Sequence, residues 1–283
     1  MILQISLTVP ETKAVIARAS ASLPEVRKAL DGGRIFLKGG TTVSMLAEEL
    51  AGMKLGICGR ISPLGAKGPK YVQLDAPHSI VIENGQVKSV DDTEEEEVLK
   101  LKKDDVFVIG ANAIDIHGNA AMMAGSSLGG PPGRILGGLM AEGVNILILA
   151  GLEKLIPVDI SHAVKACGRK KIDLAFGMAV GLIPVFGKLI TEQTAIEIFA
   201  DVRCTVIGKG GICGAEGATT MVVEGEKREI KKIYDLVKNI KGVSTSGSEK
   251  SLKECIKAGY GCSDDLACIY KNPITPGFWD DEK

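Results

Sequence analysis

Short apolar runs alternate with amphipathic stretches along most of the chain. Residues 11–30 carry a helical periodicity broken by polar residues. Arg34-Ile-Phe-Leu-Lys38 then reads as a strand that turns through Gly39-Gly40-Thr41-Thr42 into an amphipathic helix reaching about Leu50. The glycines and prolines between Cys58 and Lys70 predict a loop. The alternation from Ser79 to Val90 about Asn84-Gly85 predicts a hairpin. Asp105 to Gly110 and Asn145 to Ala150 are further apolar strands, each followed by a turn, and His162 to Cys167 reads as helical. After Gly187 the pattern changes to a helix over Glu192–Ala200, strands over Arg203–Ile207 and Thr219–Glu224, and an amphipathic helix over Glu226–Ile240. The tail from Val243 holds Ser-Thr-Ser-Gly-Ser and then a short helix with Cys255.

Three apolar strands, each running through a glycine-bearing turn toward a helix, predict an α/β fold whose mostly parallel, Rossmann-like sheet is covered by helices on both faces. Residues 1–190 form this core in the expected organisation. Residues 191–245 form a smaller α+β subdomain and residues 246–283 a C-terminal helical tail. In open parallel sheets ligands bind beyond the carboxyl ends of the strands, which aims Lys38 to Thr42, Gly110 to Asp115, and Glu153 with Lys154 at one shared cleft.

Composition narrows the partners. The 283 residues, 45% hydrophobic, suffice for a large core, and 35 glycines against 4% aromatic residues suit tight turns and close packing. A net charge of -1 with mixed lysines and carboxylates leaves no basic field for nucleic acid, and few aromatics are available for stacking on bases. No uninterrupted apolar window reaches membrane-spanning length and no leader pattern opens the chain, so a cytoplasmic protein with no membrane partner is expected. Seven cysteines, at 58, 167, 204, 213, 255, 262 and 268, do not form a secreted disulfide framework and read as reduced thiols. Cys255, Cys262 and Cys268 lack the short Cys-x-x-Cys grip of zinc or iron–sulfur sites, so packing is favoured over a metal.

The candidate chemistry centres on the Gly39–Thr42 turn. Glycines there remove Cβ obstruction, Thr41 or Thr42 can cap the helix, and the free N–H groups of its first turn face an anion, with Lys38 beside them. The run Glu94 to Glu97 reads as a solvated face. Ser126 to Arg134 is a small-residue segment suited to wrapping a ligand, with Arg134 as an anion clamp. Gly208 to Ala218 carries five glycines and is expected to cover the cleft. Of three histidines, His117 is retained beside the Gly110–Asp115 turn, while His78 and His162 read as locally satisfied.

Phe36-Leu-Lys-Gly-Gly-Thr-Thr-Val-Ser-Met-Leu-Ala-Glu-Glu-Leu50 resembles the phosphate turn of ribose-5-phosphate isomerase. Asp105-Val-Phe-Val-Ile-Gly-Ala-Asn-Ala-Ile-Asp115 resembles that enzyme's aspartate-bearing motif. Ala150-Gly-Leu-Glu-Lys-Leu-Ile-Pro157 is similar to a stretch of the lactate-utilisation (LUD) proteins. Together they resemble the superfamily of sugar-phosphate isomerases and CoA transferases over residues 30–160. The resemblance implies phosphate binding by Lys38, Gly39, Gly40, Thr41 and Thr42, with Gly110, Asn112, Arg134 and Lys154 at the same ligand. It also implies Glu153 as base or, by analogy with CoA transferases, carboxylate nucleophile, and Asp115 as a second catalytic carboxylate.

Where the isomerase has two proton-handling aspartates, this chain has Ile109 and Asn112, and residues 118–133 contain no lysine. Neither side chain can act as a base, so ribose-5-phosphate isomerisation is disfavoured. The expected function is binding of a phosphorylated or CoA-linked metabolite by an isomerase- or transferase-like enzyme that needs no cofactor, with CoA as a candidate substrate. The alternative is a non-catalytic metabolite sensor of the same fold. A homodimer is favoured over hetero-assembly, and the third reading, an assembly component, would dock through Phe278 and Trp279.

Overall fold

The computed structural model describes residues 1–68, 75–252, 265–274 and 279. Its strands are β1 (Ile2–Leu7), β2 (Arg34–Lys38), β3 (Arg60–Ser62), β4 (Gly65–Lys67), β5 (Ser79–Glu83), β6 (Gln86–Ser89), β7 (Val106–Gly110), β8 (Ala113–Ile114), β9 (Ala120–Ala124), β10 (Asn145–Leu149), β11 (Gly181–Val185), β12 (Lys188–Ile190), β13 (Val202–Lys209) and β14 (Thr219–Gly225). Its helices are α1 (Val9–Ser22), α2 (Pro24–Gly32), α3 (Thr41–Ala51), α4 (Glu94–Val98), α5 (Gly130–Glu142), α6 (Ile160–Ala166), α7 (Glu192–Phe199) and α8 (Lys227–Ile240).

The main sheet has six strands in the order β12-β10-β7-β2-β5-β6. β12, β10, β7 and β2 are mutually parallel, whereas β5 and β6 form the expected hairpin and run antiparallel at one edge. The sheet is therefore mixed. Asn84 and Gly85 both take positive φ, 49° and 73°, as a two-residue hairpin turn demands.

Alternation along the strands divides two apolar layers. Ile35, Leu37, Val106, Val108, Leu147 and Leu149 face a layer shared with α1, α2, α3, α7 and α8. Phe36, Phe107, Ile109, Ile146 and Ile148 face the opposite layer, with α5 packed over it. Helices thus cover both faces, as the uninterrupted apolar runs require.

Two regions depart from the sequence expectation. The segment from 58 to 68 contains the β3–β4 hairpin, and residues 113–185 supply a separate three-stranded sheet, β11-β9-β8, whose Ala-Ala-Met-Met strand has little β-signal of its own. The small sheet β1-β14-β13 takes its outer strand from residues 2–7, with Ile2 opposite Glu224 and Leu7 opposite Thr219. Residues 191–245 therefore complete their sheet with a strand from the other end of the chain. One continuous core joins that sheet to the main one, with Cys204 and Met221 in the same cluster as Ile35. Cys255, Cys262 and Phe278 lie outside the described residues. Cys58, Cys167, Cys204, Cys213 and Cys268 are free thiols, and Trp279 is exposed.

The Glu94–Glu97 run is corrected most clearly. Glu94 and Glu97 are buried, because each neutralises a cation at an end of β2. At the carboxyl end, Lys38 Nζ donates to Glu94 Oε1 at 2.6 Å and to Ser79 Oγ at 3.1 Å. At the amino end, Arg34 donates to Glu97 at 3.0 Å and to both oxygens of Glu83 at 2.7 Å. Hydrogen bonds from Lys100, Lys88 and Arg34 hold the Glu97 carboxyl down at about 2, against the effect of burial. Four consecutive glutamates look solvated until the distant strand that they serve is in place.

Removing one member of the buried Lys38–Glu94 pair strands the other charge. Lys38→Met is expected to lower the unfolding free energy by about 3–5 kcal/mol, and Lys38→Met with Glu94→Leu to recover most of that loss. Urea unfolding of the two variants checks this, and an unaffected single variant would contradict the pairing.

Candidate functional site

The parallel strands end on one edge, so the segments after β2, β7, β10 and β12 all emerge there. Helix α1 packs between α3 and α7 on one face, and the Arg18–Glu49 pair at 3.1 Å aligns the later turns of α1 and α3. The amino-terminal turns of all three helices consequently point toward that edge.

At the β2–α3 turn the two glycines have different reasons to exist. A Cβ on Gly39 would lie 2.2 Å from the His78 carbonyl oxygen and 3.0 Å from that of Gly56, so the neighbouring backbone alone demands glycine. A Cβ on Gly40 would meet no atom within 4 Å. Gly40 is the N-cap residue of α3 in extended backbone, and no side chain caps the helix; Thr41 and Thr42 are its first two residues rather than its caps. Ser44 N–H is the first to find an intrahelical acceptor, Gly40 O at 2.7 Å. The N–H groups of Thr41, Thr42 and Val43 thus lie outside the helical ladder, beside the open space over Gly40.

Lys38 does not reach this space. It is buried in its pair with Glu94, on the face opposite Leu37. The Cys58 thiol close by is pushed by burial up to about 11, with the Lys38 charge opposing, which makes it a poor nucleophile near neutral pH.

After β10 the chain enters a single turn at Leu152–Lys154 that turns the Glu153 side chain inward. Its carboxylate folds back over Gly151, where an ideal Cβ would sit 2.1 Å from Glu153 Oε2 and 2.7 Å from the Thr12 methyl. Gly217, in the β13–β14 connection, packs on the other side, with its own Cβ position 3.6 Å from Glu153 Cβ. The Gly217 end of the glycine-rich connection thus packs against Glu153. Both carboxylate oxygens are buried and have no hydrogen-bond partner among the described residues.

Two charged groups that the sequence reading did not single out, Lys13 and Glu192, interact with this carboxylate. Lys13, in the second turn of α1, is buried, and Glu153 and Lys154 both act on its charge. Burial pushes the Lys13 amine below its ordinary range, with the Glu153 charge opposing and Lys154 assisting. Glu192 opens α7 and is fully buried; it accepts from Leu152 N–H at 2.8 Å and from Thr219 Oγ1 at 2.6 Å. Lys209 Nζ in turn donates to Thr219 Oγ1 at 3.0 Å. Burial pushes the Glu192 carboxyl up, the Thr219 and Leu152 hydrogen bonds oppose this, and the neighbouring Glu153 charge adds to it. Lys13 and Glu192 lie within amphipathic helices, where their periodicity gave no sign that the buried stripe contained charge.

The remaining expected residues do not gather here. Asp115 is buried and fully engaged, accepting from the backbone N–H groups of His117 at 2.9 Å, Asn119 at 3.0 Å and Ile160 at 3.1 Å, and from the Asn119 side chain. It secures the β8–β9 turn and the start of α6, which removes it from the catalytic set. His117 reaches outward, 3.4 Å from Asp159, both largely exposed. Asn112 Oδ1 accepts from Met123 N–H at 2.9 Å and helps hold β8 to β9. Gly110 sits at the end of β7 opposite Leu149, with ordinary clearance for a Cβ. Arg134 pairs with Glu95 at the surface rather than clamping an anion.

The Ser126–Arg134 segment leads into α5, where Pro131 and Pro132 remove two N–H groups from the first turn, leaving a poor anion site. An open hollow of about 270 Å³ there is lined by Leu128, Gly129, Arg169 and Ile183. Another of about 270 Å³ lies beside Ile116, Asp159 and His162. Neither contains an unpartnered charged group like Glu153. Among the described residues no cluster of three metal-ligating side chains occurs, and no helix is long and apolar enough to cross a membrane.

Asp115 gives a pH signature. Burial pushes its carboxyl up, but the Asn119 side chain and the N–H groups of Ile160, Asn119 and His117 outweigh this and hold it at about 2, below the ordinary 3.8. A depressed folded-state value stabilises the protein above the unfolded value, and that contribution disappears as pH falls through the folded one. The stability difference between wild type and Asp115→Asn should therefore shrink between about pH 4 and pH 2 in urea titrations. A difference independent of pH would remove the ionised anchor. Set against protein-family models, curated proteins and solved structures, the chain gives no match.

Proposed function

We propose that the carboxyl edge of the parallel strands binds a small anionic metabolite, phosphorylated or CoA-linked, and that Glu153 acts on it. The protein would be an isomerase- or transferase-like enzyme of the Rossmann-like sugar-phosphate isomerase and CoA transferase group. The observation that carries this reading is the Glu153 carboxylate. A buried carboxylate without donors is expensive to maintain, and folding alone gives no reason to keep it. A ligand that brings a proton or a donor supplies the missing partner. The anion end of that ligand fits the N–H groups of Thr41, Thr42 and Val43, with Gly40 leaving room for close approach. Strands β2 and β10 flank β7, so the two features are about 10 Å apart by strand spacing, a span that a small phosphorylated molecule bridges.

Lys154, on the same turn as Glu153, remains at this ligand, and Gly110, at the end of the intervening strand, lines the route between the two ends. Lys38, Asp115 and Arg134 take structural roles instead. A cytoplasmic homodimer without nucleic-acid or membrane partners, requiring no cofactor, completes the proposal. The sensor alternative is favoured by the engagement of Asp115, which leaves Glu153 without the second catalytic carboxylate expected from the resemblance.

Thermal unfolding with inorganic phosphate, sugar phosphates, free CoA and acyl-CoAs tests the reading. A ligand at about 100 times its Kd stabilises by about 2.7 kcal/mol. Gly40→Ala should lower the Tm slightly without ligand, through about 0.5–1 kcal/mol of N-cap preference, and lose the ligand-dependent shift. Glu153→Gln should keep the phosphate-dependent shift and, if the protein is an enzyme, lose turnover by about 100-fold or more. No shift with any phosphate or CoA compound would overturn the anion site, and binding without turnover would select the sensor.

A further inference from the structure

We infer that Lys13 is a nucleophilic amine that forms an imine with a carbonyl-bearing ligand, with the Glu153 carboxylate moving the proton. This rests on the reading of the strand edge as a ligand site, and it assigns the ligand's chemical class. Lys13 is only 8% exposed, yet no carboxylate oxygen lies within the 4.0 Å of an ion pair among the described residues. The charge of opposite sign that acts on it is Glu153, whose two oxygens are buried and without a hydrogen-bond partner among the described residues. Thr12, the residue before Lys13, sets its methyl 2.7 Å from the Gly151 Cβ position that Glu153 Oε2 approaches to 2.1 Å, so a base and an amine share this corner without forming a pair. An ordinary buried ion pair is closed, as Lys38 and Glu94 are at 2.6 Å.

The surroundings weaken the hold of the Lys13 amine on its proton, with only the Glu153 charge opposing. Burial and the neighbouring Lys154 charge both work against protonation of Lys13, and a desolvated lysine close to a second cation is the environment that makes the amine nucleophilic. Glu192 is tied to Thr219 and the Leu152 N–H, so Glu153 is the carboxylate left to handle protons.

In the step itself, the Lys13 nitrogen lone pair forms a bond to the carbonyl carbon while the C=O π electrons move to oxygen. Glu153 takes the proton from nitrogen and returns it to that oxygen, giving a carbinolamine. Glu153 then takes the remaining proton from nitrogen and delivers it to the hydroxyl group, which leaves as water as the nitrogen lone pair closes the C=N bond. One amine and one carbonyl yield one imine and one water, with no oxidant or reductant.

Borohydride trapping on the full chain tests this. Two probes are used near neutral pH: glyoxylate, a carbonyl compound without phosphate, and pyridoxal 5′-phosphate, which carries an aldehyde and a phosphate. Reduced adducts are located by peptide mapping. In the wild-type protein Lys13 should be labelled about tenfold ahead of the exposed Lys28 and Lys88, despite its burial. Lys13→Arg, which keeps the charge, should abolish that adduct, and Glu153→Gln should slow its formation by about 100-fold. The wild-type map stands even if either variant fails to fold. Labelling confined to exposed lysines with both probes would overturn the imine.

The phosphate turn is read separately. Glyoxylate labelling of Lys13, with excess inorganic phosphate failing to slow the pyridoxal phosphate reaction there, would support the imine and overturn the turn. A phosphate-dependent thermal shift without any Lys13 adduct would do the reverse.

Discussion

A sheet buried on both faces has no room for unpaired charge, and this constraint arranges the rest of the molecule. Phe36, Phe107 and Ile148 on one side, and Leu37, Val108 and Leu149 on the other, leave the middles of β2, β7 and β10 apolar, with Arg34 and Lys38 at the two ends of β2. Polar groups collect at strand ends, where turns begin and helix termini offer N–H donors. Each charge there meets one of two outcomes. Arg34, Lys38, Glu94 and Glu97 neutralise one another in close contacts and hold the helix that follows the hairpin against β2. Lys13 and Glu153 are also buried but do not close into a pair. The contrast within one fold, under the same packing constraint, separates charge closed into pairs from charge left without a partner among the described residues.

The helix α1 brings the edge together. It lies between α3 and α7, and it presents Thr12 against Gly151 and Lys13 toward Glu153. Its start is stabilised locally: Glu11 accepts from Thr8 N–H at 2.9 Å, a capping-box arrangement. The same glutamate receives the Gly242 N–H at 3.0 Å, so the end of α8 helps to fix where α1 begins. Glycine at 151 then lets the Glu153 carboxylate lie flat against the backbone.

What the sequence reveals follows the range of the interactions. The β2–α3 turn, the Asn84-Gly85 hairpin, the strands β7 and β10 and the helix α8 were all legible, because alternation, helical period and turn chemistry are local. Glu153 was legible as a candidate because it follows an apolar strand through glycine. The burial of Glu94 was not, since its partner Lys38 lies 56 residues away, and four glutamates in a row have the composition of a wet surface. Lys13 and Glu192 were hidden for the same reason. The N-cap role of Thr41 was misread because backbone geometry moved the cap one residue earlier, to Gly40. The outer strand of the small sheet escaped notice because its partner, β14, lies more than two hundred residues along the chain, with Ser6 and Thr220 hydroxyls meeting at 2.8 Å.

That last pairing has a kinetic consequence. Strand β1 leads directly into the helix that carries Lys13, and among the described residues it has no sheet neighbour other than β14. As the chain leaves the ribosome, the parallel strands can collapse early, but β1 waits for residues 219–224 before its backbone groups are satisfied. Glu192 and Thr219 arrive late in synthesis as well. No nascent chain that stops before residue 219 contains the assembled strand edge, so Glu153 and Glu192 gain their folded surroundings only once strand β14 has emerged.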